Sequence, residues 1–264
     1  MFAFQYRKAK TLKEAVDVLA KDDEAKPLSG GMTLIPTLKA RLAQPTQLID
    51  LNGLYELSGI EVKGDVLSIG AVTRHQQVAT SKVVKDAIPA LAALASGIGD
   101  PQVRNRGTLG GSVANNDPAA DYPSAVLGLD AKVITNKREI AAEDFFQGMF
   151  ATALEPGELI VRIAFPQPKK AAYAKFPHPA TGYAMAGVFV AQTADGIRVA
   201  VTGAGPGVFR WSDAEQALAK KMDAAAIEKL TLAADDLNED MHGTREYRAQ
   251  LAKVMALRAV KALA

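Results

Sequence analysis

The chain has 264 residues, 48% of them hydrophobic, and a formal charge of +2 at pH 7, which suits one large domain or two modest ones. This charge balance gives no sequence-wide attraction to nucleic acid or an anionic membrane, and no apolar run approaches the roughly 20 residues that cross a bilayer. The lack of cysteine excludes disulfides, thiol catalysis and iron–sulfur clusters held by this chain. His75, His178 and His242 are too scattered for a histidine metal site, so redox chemistry here needs a bound organic cofactor.

In chain order the pattern predicts an α+β alternation without repeats. The opening MFAFQYRKAK lacks the apolar core of a signal peptide, so a cytoplasmic protein is expected. Thr11 and Glu14 form a capping box ahead of an amphipathic helix ending near Lys21. Strands are predicted at 25–28, 47–50, 60–63 and 66–71, then one helix over 78–94 with a glycine-broken exit at 95–100. Asp117, followed by Pro118, is expected to cap a helix running to about Leu129, which puts Asp121 one turn in on the same face. Further strands are predicted at 132–134, 138–140 and 159–165. The composition breaks at PQPKK, residues 166–170. Beyond it, Asp195-Gly196 joins two strands in a hairpin, and the Gly-Pro-rich turn 203–207 leads into a mostly helical remainder. Ser212 with Glu215 forms a second capping box, and Thr244 opens the last helix.

Two glycine segments carry the chemistry: PLSGGMTLIP at 27–36 and VRNRGTLGGSVANNDPAADYP at 103–123. Glycine pairs let main-chain N–H groups approach a phosphate, and flanking hydroxyls add donors without bulk. Either pair alone reads most simply as a turn, and neither is a P-loop or a GxGxxG fingerprint. Asp117 reads as a helix cap, Asp121 as a first-turn acid or a partner for sugar hydroxyls, and Arg104 and Arg106 as solvated charges or a subunit contact. Together the segments point to a nucleotide-diphosphate binder of unspecified kind.

The order of segments resembles the FAD-binding medium subunit of the molybdenum hydroxylases, which include aerobic carbon monoxide dehydrogenase and xanthine dehydrogenase-like enzymes. The resemblance lies in FQYRKAKTLKEAVDVLA, PLSGGMTLIPTLK, LIDLNGLYELSGI, SIGAVTRHQQV, the second glycine segment, GELIVRIAFP, YAKF and VTGAGPGVFR, and so spans nearly the whole chain. It implies a two-lobed FAD-binding domain of the vanillyl-alcohol-oxidase-like type over residues 1–168, with lobes of about 1–56 and 57–168. A small three-stranded antiparallel sheet with helices would follow over 169–264. It also implies that the FAD diphosphate lies between Leu28, Ser29, Gly30, Gly31, Met32, Thr33 and Leu34 on one side and Thr108, Gly110, Gly111 and Ser112 on the other. By the same resemblance Asn115 and Asp121 contact the sugar or adenine side. Ile98 and Ile160 give apolar contacts, and Lys175 lies near the flavin ring, where a cation would stabilise the reduced, anionic form. One departure is Pro177-His178-Pro179, where relatives often carry an arginine.

The implied FAD is non-covalent, since neither glycine segment holds a histidine. The implied partners are a small subunit with two [2Fe–2S] clusters and a large subunit with a molybdenum–pterin centre, assembled as a dimer of heterotrimers without nucleic acid or a membrane span. The role is electron transfer to an external acceptor. A self-sufficient flavin oxidase or reductase and a flavin-free interaction protein are the alternatives; a donor turned over by the isolated chain would favour the first.

Overall fold

The computed structural model describes residues 1–263. The first fifty residues alternate β1 (Gln5–Lys8), α1 (Leu12–Leu19), β2 (Lys26–Leu28), α2 (Leu34–Lys39) and β3 (Gln47–Asp50). The strands form a parallel sheet in the order β1-β3-β2. Thr11 caps α1 by accepting from the Glu14 N–H at 3.1 Å, but Glu14 accepts from Lys10 N–H, one residue before the reciprocal partner of a capping box.

A second sheet follows, with β4 (Ile60–Lys63) and β5 (Val66–Gly70) leading into a run of helices. The predicted helix over 78–94 is three pieces: α3 (His75–Thr80), α4 (Lys82–Ala87) and α5 (Pro89–Ser96). Ser81 breaks the first junction by capping α4 through Val84 N–H, and Pro89, which has no N–H to continue a helix, restarts the chain as α5. Then come α6 (Pro101–Arg106), α7 (Leu109–Asn115) and α8 (Tyr122–Gly128). They are followed by β6 (Lys132–Thr135), β7 (Glu139–Ala141), α9 (Ala142–Phe145) and β8 (Ile160–Pro166), which complete a five-stranded antiparallel sheet in the order β4-β5-β8-β6-β7.

Asp117 does not cap a helix. Its Oδ1 accepts from Ala119 N–H in a tight turn, and α8 starts only at Tyr122, so Asp121 precedes the helix. The physical reason is competition from across the molecule. Thr202 Oγ donates to the Pro118 and Ala120 carbonyls, Gly203 N–H donates to Pro118 O, and Ala184 N–H donates to Ala119 O. These bonds hold residues 118–120 in the turn, and the helix starts only after them.

The last sheet is antiparallel and has four strands, not three: β9 (Lys170–Pro177), β10 (Ala184–Gln192), β11 (Ile197–Thr202) and β12 (Phe209–Arg210), in the order β12-β11-β10-β9. The fourth strand is only two residues long, too short to show period-2 alternation, and pairs Phe209 with Val201 and Arg210 with Ala200. After it come α10 (Ser212–Lys220) and α11 (Arg245–Ala262). The expected Ser212–Glu215 box is absent. Ser212 already lies inside α10, and Glu215 is drawn to Val199 N–H at 2.9 Å and to the Arg210 guanidinium. Residues 227–244 hold turns rather than helix, while Thr244 caps α11 through Tyr247 N–H as expected.

Strand β10 is buried along nearly its whole length because both faces of its sheet are covered. Phe189, Ala191 and Ala200 pack into the core of the five-stranded sheet and its helices, while Val188, Val190, Val199 and Val201 pack beneath α10 and α11 with Trp211 and Met255. Gly128 lets α8 close on this sheet, since a Cβ there would lie 3.0 Å from Phe189. Among the described residues no helix is long and apolar enough to cross a membrane.

A buried acid ties the β6–β7 turn to the segment before β8. Glu158 accepts from Thr135 Oγ, the Arg138 guanidinium and Glu155 N–H. Burial alone would raise this carboxyl, but these donors outweigh it and hold the group at about 2. Because the folded value is depressed, the stabilisation is complete above the ordinary value of 4.5 and is lost as pH falls from there through about 2. Glu158→Gln should lower the melting temperature at neutral pH and flatten its fall on acidification. Melting curves for both proteins between about pH 6 and about pH 3 test this, and equal acid slopes would refute it.

Candidate functional site

A cavity of about 530 Å³, within the usual range for cofactor sites, opens where the three sheets meet. Its walls are the β2–α2 connection, α7, the turn after α5, the segment from Phe150 to Ile160, and the 181–183 turn between β9 and β10. Fifteen of the sixteen expected residues lie on these walls: Leu28, Ser29, Gly30, Gly31, Met32, Thr33, Leu34, Ile98, Thr108, Gly110, Gly111, Ser112, Asn115, Asp121 and Ile160. Lys175 stands behind the wall, paired with Asp121 at 3.0 Å.

The two glycine segments are in direct contact. A Cβ on Gly30 would lie 2.4 Å from Arg106 O, and Ser29 Oγ and Thr108 Oγ are hydrogen-bonded at 3.1 Å. Asn52 holds the first segment from below, donating its side-chain amide to Ser29 O and Asp50. The glycines therefore do different jobs. Gly30 permits this crossing, and Gly110 permits α7 to sit on Ala71, whose Cβ lies 2.5 Å from the position a Gly110 Cβ would take. Gly31 makes the turn itself, at φ +72°. Gly111 has different neighbours: its Cβ would meet the hydroxyls of Thr108 at 2.8 Å and Ser29 at 2.9 Å.

Free donors are unequally shared between the segments. In α7, Leu109 N–H and Gly110 N–H donate to Thr73 O and Ala71 O, while those of Gly111 and Ser112 donate to Thr108. The N–H groups of residues 30–34, by contrast, have no acceptor among the described residues. The second segment instead offers side chains, since the Ser112 hydroxyl and the Asn115 amide have no hydrogen-bond partner among the described residues. An anion in this cavity would find backbone donors on one side and hydroxyl and amide groups on the other.

Charge at the opposite end is largely neutralised within the protein. Lys175 donates to Gly97 O at 2.7 Å and Gly182 O at 3.0 Å as well as pairing with Asp121, so its three protons have three partners. Burial raises the Asp121 carboxyl, with the Lys175 charge and the Tyr173 hydroxyl opposing. Arg104 is not a solvated charge; its guanidinium donates to the Ile98 and Gly99 carbonyls and fixes that turn. His75 lies against Gly107 in the wall, and burial with the Arg104 charge nearby lowers it to about 4, so it is neutral at physiological pH.

Among the cavity residues missed from sequence are Phe150, Leu154, Thr181, Gly182 and Tyr183, which close it from segments with no glycine motif. Phe150 takes φ +54°, and its N–H donates to Asn116 O. The buried Asn116 holds the same loop through Gly148 O and Ala151 O. Only tertiary structure reveals this clasp.

Residues 2–168 match the FAD binding domain in molybdopterin dehydrogenase, and residues 171–263 match the CO dehydrogenase flavoprotein C-terminal domain. The chain is 36% identical to the carbon monoxide dehydrogenase medium chain of Hydrogenophaga pseudoflava, covering 98% of this chain and 96% of that one. It is 34% identical to the glyceraldehyde dehydrogenase medium chain of Sulfolobus acidocaldarius, over 99% and 98% of the two chains. In structure it is similar to a chain of reconstituted CO dehydrogenase from Oligotropha carboxidovorans, with a TM-score of 0.93, 34% identity and coverage of 100% and 99%. With both halves matched, and relatives aligned over nearly their whole length, the chain belongs to the FAD-binding medium-subunit family of the molybdenum hydroxylases.

Proposed function

We propose that the cavity holds one non-covalent FAD with its diphosphate against the free N–H groups of residues 30–34. The observation that carries this is the run of unpaired donors facing the unpartnered side chains of Ser112 and Asn115. Thr108 and Ser29 brace that wall. Ile98 and Ile160 supply apolar contact, and in this reading Asp121, with Lys175 paired behind it, is given to the ring end rather than to the sugar or adenine side. The ion pair supports treating the two residues together, since it sets Lys175 directly behind Asp121. When bound, FAD supplies the capacity to take electrons one or two at a time; the chain supplies position and electrostatics.

In this reading the subunit passes electrons from two [2Fe–2S] clusters of a small partner, reduced by a large molybdenum–pterin partner, to an external acceptor. Support comes from relatives named as medium chains of CO dehydrogenase and glyceraldehyde dehydrogenase, and from the absence of cysteine for a cluster of its own. The complex is a cytoplasmic dimer of heterotrimers. Residues 1–168 act as a two-lobed FAD-binding domain of the vanillyl-alcohol-oxidase-like type and residues 169–264 as the second domain. The first test is an absorbance spectrum of the purified chain, followed by acid release. About one releasable FAD per chain, reduced by substrate only after partner subunits are added, is expected. A colourless protein that refuses added FAD would overturn the reading.

Two substitutions test the walls. Gly111→Val must push aside the Thr108 and Ser29 hydroxyls, so FAD occupancy should fall far below one per chain while the secondary structure persists. Recovery of that variant with full yellow absorbance would exclude this wall as the diphosphate site. Asp121→Asn should leave the protein folded and weaken FAD binding roughly tenfold, the worth of one charge-assisted hydrogen bond. Fluorescence titration of the apoprotein measures it, and an unchanged dissociation constant would remove Asp121 from the site.

A further inference from the structure

Asp121 is held from one side only. Tyr173 and Lys175 lie two residues apart on β9 and so project from the same face of its sheet. The Tyr173 hydroxyl donates to Asp121 Oδ1 at 2.6 Å, and the Lys175 ammonium lies 3.0 Å from that same oxygen. Asp121 Oδ2 has no partner among the described residues, although the residue forms part of the cavity wall. A carboxylate can turn about its terminal torsion and exchange its two oxygens. Two donors on Oδ1 stop that exchange and leave Oδ2 as the oxygen open to a ligand.

The two donors are not equivalent. Lys175 divides its protons among Asp121 and two backbone carbonyls, whereas among the described residues the Tyr173 hydroxyl bonds Asp121 alone. Burial and the Asp121 charge push that hydroxyl far up, so it stays protonated and donating. Its position is also built into the neighbouring strand. A Cβ at Gly187 on β10 would lie 2.4 Å from the Tyr173 hydroxyl oxygen, so the missing side chain is the space the phenol occupies. The ring itself leans on Phe189 at 6.2 Å between centroids, which ties it to the main core.

We propose that Tyr173 is a positioning residue for the flavin, fixing through Asp121 Oδ1 which carboxylate oxygen meets the cofactor. The inference rests on the FAD reading above and deepens it. Loss of the phenol frees the carboxylate to turn and leaves it a more concentrated negative charge, which disfavours an anionic reduced ligand more than an oxidised one.

The test uses the full chain. Tyr173→Phe should weaken FAD binding roughly tenfold while the melting temperature of the apoprotein stays near that of the parent. Its flavin potential should move to more negative values. If the reduced form loses tenfold more affinity than the oxidised form, the shift is about 30 mV. In an Asp121→Asn background the same substitution should have no further effect on either quantity, because the path through the carboxylate is gone. Gly187→Ala, which displaces the phenol without removing it, should reproduce the loss of affinity. Unchanged FAD affinity and potential in Tyr173→Phe, or an equal loss in the Asp121→Asn background, would overturn the proposal. A parent protein that takes up no FAD would instead overturn the reading beneath it.

Discussion

Everything at this site depends on the near-contact between two backbones separated by about eighty residues of sequence. Gly30 lies so close to the Arg106 carbonyl that any side chain there would force the parallel sheet and the helical layer apart. The Ser29–Thr108 hydrogen bond then fixes the lateral register of the crossing. The cavity is the space left beside this crossing. It exists because a segment leaving the parallel sheet and a segment of the helical layer meet at one small-residue point and diverge on either side.

This crossing divides the work of binding. The second segment has spent its first helical N–H groups on Ala71, Thr73 and Thr108, which anchors α7 to the segment that follows β5. The first segment has kept its own free. The rigid side therefore contributes shape and neutral side chains, and the β2–α2 connection contributes the concentrated donors. At the far end Lys175 and Tyr173 hold Asp121 by one oxygen and the lysine balances its charge, so the cavity meets its ligand with little net charge to desolvate.

The sequence made the site legible where local chemistry decided it. Both glycine segments, the caps at Thr11 and Thr244, and most strand positions could be read because a turn, a cap or a run of apolar residues is a short-range signal. Reading failed where distant groups competed for the backbone. Asp117 resembled a cap until Thr202, Gly203 and Ala184 took the carbonyls around it. Glu215 resembled half of a capping box until Val199 and Arg210 claimed it. The pairing of Asp121 with Lys175, 54 positions apart, left no trace in spacing, and neither did the clasp that holds Phe150 at the cavity. The glycine pairs were found for a partly different reason than the one that holds, since Gly30 and Gly110 serve packing first.

The last sheet has one face beneath α10 and α11 and gives Phe189, Ala191 and Ala200 from the other to the core around α8. Its β9 also supplies both groups that restrain Asp121. The C-terminal third of the chain is thus a wall shared by two interiors. In inheritance it cannot be exchanged as a free module: a foreign replacement would have to match the α8 surface and restore a tyrosine and a lysine at one alternating spacing. Covariation across that seam, rather than within either half, is the evolutionary signature this architecture should leave.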